Sequence, residues 1–111
     1  MYELERMEII SWVKKQLKEF AEKLKENLRV EKIILFGRRA EGNFDRNSDF
    51  DFIIVSGSFK GMNYFERVKK VYDFWDLDYP ADFICYTKEE FNKLKKGITL
   101  VSIALKRGIE I

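Results

Sequence analysis

The sequence predicts a small mixed α/β (α+β) domain, in which helices pack mainly on one face of a small mixed β-sheet. Apolar residues with helical spacing open the chain, and three short apolar runs of strand length follow. Glycine- or proline-containing segments separate these elements. The 111 residues fit one domain, residues 1–111, made of an N-terminal amphipathic helix (1–28) and a following unit (30–111).

The first predicted element is an amphipathic helix over residues 3–28. The simpler interpretation is that its apolar face packs on the domain's own sheet. The alternative is that part of its length docks a partner, because a helix this long extends beyond a small core. The apolar positions recur at spacings of three and four: Leu4, Met7, Ile10, Val13, Leu17, Phe20, Leu24 and Leu28.

Three apolar runs predict strands. Residues 33–36 are Ile-Ile-Leu-Phe and end at Gly37, which predicts a short buried strand. Residues 49–55 (DFDFIIV) form the second run, and residues 81–86 (ADFICY) the third, directly after Pro80. Their length and their content of Ile, Val and Phe are typical of strands.

The remaining apolar patterns predict helices. Helical spacing indicates a second helix over residues 62–77. Thr87, followed three residues later by Glu90, has the form of a capping box that opens a short helix ending at Leu94. A last helix is predicted over residues 98–106.

Composition narrows the function classes. Lys and Arg total 21 and Asp and Glu total 19, so the net charge is +2. A chain this close to neutral is not expected to bind nucleic acid strongly. The absence of His excludes Ser–His and Cys–His catalysis and His-ligated zinc sites. The 36% of charged residues, rich in Lys and Glu, resembles the surface chemistry of thermophile proteins.

The sequence also indicates a compartment. The single Cys85 excludes an internal disulfide and agrees with a reducing environment. No apolar run reaches membrane-spanning length, and the first residues do not have the form of a signal peptide. We therefore expect a cytoplasmic protein with no membrane contact.

Asp49 and Asp51 are the first candidates for chemistry. They lie two residues apart on a predicted strand, so both carboxylates point to the same face. Two adjacent carboxylates repel each other, which raises the pKa of each. A cation bound between them removes that repulsion. Hard oxygen ligands favour Mg²⁺ or Mn²⁺. Asp-x-Asp alone is a weak signal, because Asp also begins strands and occupies turns.

Asp82 opens the next predicted strand and strengthens the metal hypothesis. If that strand pairs with the strand of Asp49 and Asp51 on the same face, three carboxylates converge, and three carboxylates suit a two-metal site. The alternative is that Asp82 is a turn residue after Pro80.

The segment between the first two strands is a candidate phosphate site. We expect residues 37–48 to form a polar loop with room for one helical turn, and this loop begins Gly-Arg-Arg-Ala-Glu-Gly. Glycines expose backbone N–H groups to an anion, and Arg makes bidentate contacts to phosphate. The alternative is an ordinary charged loop.

Together these pieces resemble the minimal nucleotidyltransferase (MNT) family of the DNA polymerase beta-type superfamily. The family pattern is Phe-Gly-Ser-Arg-Ala-x-Gly, then Ser-Asp-hydrophobic-Asp-hydrophobic, with a third Asp on a later strand. The matching segments here are residues 35–42 (LFGRRAEG), 47–55 (NSDFDFIIV) and 81–83 (ADF). The segments 87–91 and 104–111 are also similar to the family.

The resemblance covers about residues 30–111 and implies a polymerase-beta-type nucleotidyltransferase fold with 30–111 as the catalytic unit. It implies that a hydroxyl attacks the α-phosphorus of a nucleoside triphosphate, ATP above all, with two Mg²⁺ ions as cofactor. The implied catalytic and metal-binding residues are Asp49, Asp51 and Asp82. The implied nucleotide- and phosphate-binding residues are Gly37, Arg38, Arg39, Gly42 and Ser48.

The resemblance also implies a biological role. The smallest family members are antitoxins that pair with a helical HEPN-type toxin, an RNase, and transfer AMP to a Tyr on it. Independently of the resemblance, the exposed part of the first helix and the aromatic residues Tyr64, Trp75 and Tyr79 are candidate contacts for a homodimer or for a different partner protein. A nucleic-acid-tailing enzyme is disfavoured by the near-neutral charge.

Two positions depart from the family pattern. Arg38 stands where the family has Ser, and Glu41 stands where it has a basic residue. The backbone N–H survives the first change, while the hydroxyl does not, and Arg38 either replaces that contact or closes the pocket. The alternative function is therefore a catalytically impaired MNT-like antitoxin that neutralises its toxin by binding and occlusion.

Overall fold

The computed structural model describes residues 2–45 and 47–111, and the side chains from residue 11 onward outside that gap. The predicted stripe positions Leu4, Met7 and Ile10 lie outside the described side chains. The elements in chain order are α1 (Tyr2–Leu28), β1 (Val30–Phe36), α2 (Arg38–Glu41), β2 (Phe50–Ser56), a 3-10 turn (Gly57–Phe59), α3 (Tyr64–Tyr72), β3 (Ala81–Tyr86), α4 (Lys88–Leu94), α5 (Leu100–Arg107) and β4 (Ile109–Glu110).

The four strands form one mixed sheet in the order β3-β2-β1-β4. β1 is antiparallel to both β2 and β4, whereas β2 and β3 are parallel. In the parallel pair, Asp51 lies opposite Asp82 and Phe52 lies opposite Phe83. This arrangement confirms the predicted mixed α/β class and small mixed sheet.

One face of the sheet carries the larger core. Helix α1 places its buried side chains against this face, as its stripe predicted, and Val71 of α3 adds to them. The opposite face is covered by α4 and α5 through Phe91, Val101 and Ala104. Helices therefore cover both faces of the sheet, with α1 and α3 on one face and α4 and α5 on the other, rather than mainly one face. The strand residues of the larger core include Ile33, Leu35, Phe50, Phe52, Ile54, Phe83 and Cys85.

An aromatic cluster fills the centre of the larger core. The Trp75 ring lies 5.0 Å from that of Phe20 and 5.7 Å from that of Phe50, and its Nε1 donates to the Tyr79 carbonyl at 2.9 Å. The Tyr79 ring packs edge-on against Phe50. Trp75 and Tyr79, which we considered as contact residues for a partner, therefore pack within the domain, while Tyr64 is exposed.

The ends of α3 differ from the predicted 62–77. Asn63 caps its start by accepting a hydrogen bond from the Glu66 N–H at 2.9 Å. After Tyr72 the chain tightens, and Trp75 N–H donates to the Tyr72 carbonyl at 3.0 Å. Apolar spacing alone predicted too long a helix, because Trp75 reaches the core from this turn.

The short strand β4 was not predicted, because two residues carry no periodic signal. It pairs with Ile34 and Leu35 of β1. Of the helices in the described part of the chain, none is both long and apolar enough to cross a membrane.

Candidate active site

The starts of the parallel strands β2 and β3 bring two carboxylates together. Asp51 and Asp82 are direct register partners, and side chains at paired positions project from the same face of a sheet. This face is opposite to the one on which Phe50 and Phe52 enter the larger core. Asp51 is half-buried and Asp82 is exposed. The sheet thus places the second and third predicted carboxylates side by side.

Asp49 lies one residue before β2 and is exposed. The Phe50 N–H donates to the Pro80 carbonyl at 2.9 Å, which starts the contact between the two segments just after Asp49. Asp49 therefore lies just outside the strand, close enough for its charge to raise the pKa of Asp51.

Without a bound cation, the surroundings of Asp51 disfavour its ionised form. Burial raises the pKa of Asp51 above its ordinary value, and the negative charges of Asp82 and Asp49 raise it further. None of the salt bridges among the described residues involves these three side chains. A cation bound here would therefore favour ionised Asp51.

Gly37 lies directly against this carboxylate. A Cβ atom at Gly37 would stand 2.6 Å from Asp51 Oδ2, and its φ of +74° is one that other residues rarely adopt. Its carbonyl accepts hydrogen bonds from the N–H groups of Ala40 and Glu41, each at 3.1 Å. Gly37 therefore begins the α2 turn and leaves room for the Asp51 side chain.

The other residues of the α2 segment have different surroundings. Gly42 caps α2 in the left-handed conformation, with its N–H donating to the Arg38 carbonyl at 3.0 Å. Arg38 is exposed. Glu41 is also exposed, and its carboxylate lies 3.8 Å from Arg107 Nη1, so a cation from α5 offsets its charge.

Arg39 lies on the opposite face of the sheet from Asp51. Its guanidinium carbon is 4.4 Å from the Phe50 ring centre, 4.7 Å from that of Phe44 and 5.2 Å from that of Tyr79. Burial lowers its pKa. Arg39 also lines an apolar cavity of about 600 Å³ beside α1. These contacts are those of a residue that anchors the loop.

Ser48 is the second anchor of the loop. Arg39 Nε donates to its carbonyl at 3.0 Å, and its Oγ accepts from the Asp45 N–H at 3.0 Å. Ser48 is buried. The structure therefore brings Gly37 and Asp51 together, while Arg39 and Ser48 hold the shape of the segment that leads into Asp49.

A cleft of about 800 Å³ opens over Asp51 and Asp82. Aromatic side chains of α3 line it, and Phe65 leaves 82% of its surface exposed. Lys69 supplies a cation, and Leu100 at the start of α5 adds an apolar contact. Tyr64 and Tyr72, also of α3, complete the aromatic wall of the cleft.

The sequence analysis missed the hydrogen bonds that join α3 to the edge strand β3. Tyr72 Oη donates to the Ala81 carbonyl at 2.6 Å, and Tyr64 Oη donates to the Phe83 carbonyl at 3.3 Å. The spacing of Tyr64 and Tyr72, eight residues apart on one helix, could have indicated a shared face. Their target carbonyls could not be identified from sequence.

The donor chemistry of Asp51 and Asp82 fits a hard divalent cation, although the described residues form no complete metal-binding group. Among residues 2–45 and 47–111, no three His, Cys, Asp or Glu side chains are grouped so that they could hold a metal ion. The Asp51–Asp82 pair supplies oxygen ligands of the kind that Mg²⁺ prefers, and Gly37 leaves Asp51 Oδ2 the space it occupies. The three-carboxylate, two-ion centre stays a prediction.

Comparison with known proteins gives a family match over most of the chain. The family described as "Nucleotidyltransferase domain" matches residues 13–108. No curated protein matches the chain.

Solved structures with a similar fold include three of different kinds. A presumed nucleotidyltransferase from Sulfolobus solfataricus is 26% identical, with a TM-score of 0.62, over 86% of this chain and 76% of that one. A toxin–antitoxin structure with AMP-PNP is 20% identical, with a TM-score of 0.54, over 86% and 69%. BolA1 from Arabidopsis thaliana is 23% identical, with a TM-score of 0.53, over 68% and 94%. The last two likenesses concern the fold alone.

Proposed function

Because the chain belongs to the nucleotidyltransferase domain family, we propose that it transfers AMP from ATP to a hydroxyl group of a partner protein in a Mg²⁺-dependent reaction. The observation that carries this proposal is the register pairing of Asp51 with Asp82 on the floor of an open cleft. Gly37 against the Asp51 carboxylate supports it.

In this mechanism, Asp49, Asp51 and Asp82 would hold the metal, which when bound supplies positive charge to the triphosphate and lowers the pKa of the attacking hydroxyl. Gly37 and the backbone N–H of Arg38 hold the β- and γ-phosphates. Arg38 is exposed, so its guanidinium can reach the same phosphates. Arg39, Gly42 and Ser48 support the loop, and we do not assign them a phosphate contact.

The chemical step is an in-line displacement. The acceptor oxygen forms a bond to the α-phosphorus, and the bond from the α-phosphorus to the oxygen that bridges to the β-phosphorus breaks. Pyrophosphate leaves with the electron pair of that bond. Asp82, the more exposed member of the strand pair, accepts the proton of the acceptor hydroxyl.

For the biological role, we propose an antitoxin that acts on a HEPN-type helical toxin. The sequence resemblance to the MNT family carries this part. The fold likeness to one structure named as a toxin–antitoxin with AMP-PNP is compatible with it. The acceptor hydroxyl then belongs to a Tyr of the toxin.

The test is transfer of label from [α-³²P]ATP to a helical protein encoded beside this gene, co-expressed and purified with the chain. We expect labelled partner with Mg²⁺ and none with EDTA. Asp51→Asn and Asp82→Asn should each reduce the rate by about 100-fold or more, the scale expected when a group that stabilises the transition state is removed.

Asp78→Asn is the matched control, because Asp78 is an exposed carboxylate in the turn before β3 and lies outside the cleft lining. It should transfer label at the wild-type rate. Equal labelling by wild type, Asp51→Asn and Asp82→Asn would contradict the proposal.

The second candidate function is neutralisation by occlusion with an impaired site, and the exposed Arg38 at the family's Ser position favours it. In cells, this alternative predicts that Asp51→Asn still protects against the toxin. The enzymatic proposal predicts loss of protection with partner binding retained. The variant Arg38→Ser distinguishes the two candidate functions further, because a gain of labelling in this variant would identify Arg38 as the group that closes the site.

A further inference from the structure

Two tyrosines of α3 contact the backbone on both sides of Asp82. The Tyr72 hydroxyl donates to the carbonyl of Ala81 at 2.6 Å, and the Tyr64 hydroxyl donates to the carbonyl of Phe83 at 3.3 Å. Ala81 and Phe83 are the residues directly before and after Asp82. We propose that Tyr64 and Tyr72 are positioning residues that fix Asp82 opposite Asp51, an inference that rests on the proposed function.

The position of β3 makes such support necessary. β3 is an edge strand, so one side of its backbone has no neighbouring strand to hold it. Ala81 and Phe83 face the larger core. Asp82, which lies between these two residues in the strand, faces the cleft. Movement of this edge would carry the Asp82 carboxylate away from Asp51, whose own strand lies inside the sheet.

A third contact extends the same support along β3. Arg67 Nη1 donates to the Cys85 carbonyl at 3.2 Å and to Glu90 Oε1 at 2.7 Å. Alternate carbonyls of the strand, at Ala81, Phe83 and Cys85, thus each accept a hydrogen bond from α3. Because the side chains of α3 donate to every second carbonyl of β3, α3 takes the place of a neighbouring strand along the edge that carries Asp82.

The exposure of the two tyrosines fits this role better than a role in core packing alone. Tyr64 and Tyr72 are 53% and 45% exposed, so their rings contribute to the cleft wall while their hydroxyls reach the backbone. A Phe at either position would retain ring contacts and lose the hydrogen bond. The hydroxyl and the ring can therefore be tested separately.

The experiment measures the affinity for Mn²⁺ alone, by electron paramagnetic resonance of free Mn²⁺, well below the melting temperature. The probe needs no acceptor and no nucleotide, so the cleft wall's contacts with a substrate do not enter. We expect Tyr64→Phe/Tyr72→Phe to weaken Mn²⁺ binding by about tenfold, a typical effect of residues that orient metal ligands, and Tyr72→Phe alone to have the larger single effect because its hydrogen bond is shorter.

Tyr79→Phe is the matched control. Its ring packs on Phe50 across the sheet, and its hydroxyl makes no hydrogen bond to a residue that the structure describes. Its Mn²⁺ affinity should equal that of the wild type. Single variants and melting curves show whether the double variant is folded at the temperature of the measurement, and the singles carry the test if it is not.

Asp82→Asn separates failure of this inference from failure of the proposed function. If Asp82→Asn weakens Mn²⁺ binding while the tyrosine variants stay within twofold of the wild type, the positioning role is overturned and the metal site stands. If the wild type binds no Mn²⁺, or Asp82→Asn binds it as well as the wild type, both proposals are overturned.

Discussion

At Gly37 a single hydrogen atom in place of a side chain decides where a carboxylate can lie. We predict that Gly37→Ala displaces Asp51, because the added Cβ would stand 2.6 Å from Oδ2. The strained φ of +74° adds about 1–3 kcal/mol of destabilisation. Label transfer should fall by about 100-fold, the scale expected for a misplaced catalytic group.

Gly42→Ala is the control for a substitution at positive φ without a collision. Gly42 has φ +84° and ψ 0°, a left-handed conformation that costs Ala less than the φ +74° and ψ −158° of Gly37, and a Cβ there meets no atom within 4 Å. It should lower stability by about 1 kcal/mol and leave the transfer rate close to that of the wild type. Denaturant unfolding and label transfer, measured on both variants, show whether activity falls at Gly37 by more than the loss of stability explains.

Cys85 gives a second prediction for a single residue. The thiol is buried, which raises its pKa to about 12, against a smaller lowering by Arg67. Because the thiolate is the reactive form, iodoacetamide at pH 8 should leave the folded protein unmodified and add one group in urea. Rapid alkylation without denaturant would show that β3 opens readily.

For individual residues, the sequence identified acidic side chains that the sheet brings together, but it did not indicate the surroundings of the basic ones. Among the three carboxylates selected by the Asp-x-Asp spacing and the later Asp82, the sheet pairs Asp51 with Asp82 on one face, and Asp49 lies one residue before β2. Arg39 had the residue type for phosphate binding, yet the structure surrounds it with three aromatic rings. Which side of a turn an Arg takes depends on tertiary contacts with Phe44, Phe50 and Tyr79, which no local pattern encodes.

The carboxylate of Glu90 in α4 links this helix to α3 by a hydrogen-bonded ion pair. Glu90 Oε1 accepts hydrogen bonds from the Thr87 N–H and from Arg67, both at 2.7 Å. Burial raises its pKa, but the hydrogen bonds from Thr87 and Arg67 and the charge of Arg67 outweigh burial, so the net pKa is lowered. Glu90 therefore belongs both to the capping box of α4 and to the support of β3.

The sign of this shift fixes a pH dependence. A carboxyl with a lowered pKa in the folded state stabilises the protein above its unfolded pKa of about 4.3. That contribution is lost as the pH falls through the lower, folded value. We predict that the difference in melting temperature between pH 7 and about pH 3 is smaller in Glu90→Gln than in the wild type, as measured by circular dichroism.

Glu89→Gln serves as the control for this comparison. Glu89 is exposed in the same first turn of α4 and makes no salt bridge to a residue within the described ranges. Its pH dependence should match that of the wild type. If Glu90→Gln and the wild type lose stability in parallel, the link through Arg67 does not stabilise the fold.

Among the elements, those with strong local signals were predicted well. The capping box at Thr87 and Glu90 is present, with both of its hydrogen bonds, and β3 has the predicted bounds. The end of α3 was misjudged because Phe74 and Trp75 continue the apolar pattern after the helix has tightened into a turn. β4 depends on pairing with β1, which is a distant contact in sequence.

For the whole molecule, charge repulsion at the cleft links stability to metal binding. The pKa of Asp51 is raised by burial and by Asp82 and Asp49, so the stability of the metal-free protein should fall as the pH rises through that value. A bound cation reverses the effect because it favours the ionised carboxylate. We predict that Mn²⁺ at 100 times its Kd stabilises the fold by about 2.7 kcal/mol.

The variant Asp51→Asn gives the opposite pattern. It should raise the melting temperature of the metal-free protein at pH 7 by a few degrees and abolish the increase on adding Mn²⁺. Asp78→Asn should retain the wild-type increase. A metal-free Asp51→Asn that melts below the wild type would mean that the carboxylate stabilises the fold, contrary to the electrostatics described.

The overall architecture was predictable only in part, because strand order and direction do not follow from strand positions. The sequence indicated three strands and a shared face for Asp49 and Asp51, but the parallel pairing of β2 with β3 gives Asp51 its partner Asp82. A similar chain trace also occurs in BolA1, so architecture alone does not identify a nucleotidyltransferase. The family match over residues 13–108 carries that conclusion.

The hydrogen bonds from α3 to β3 have a further consequence for solubility and assembly. Exposed edge strands recruit strands from other chains, and that recruitment is a common route to aggregation. Here the carbonyls of Ala81, Phe83 and Cys85 are already occupied, so a foreign strand would have to displace α3 before it could extend the sheet. Any complex made through this edge is therefore expected to use side-chain surfaces rather than a continuous intermolecular sheet.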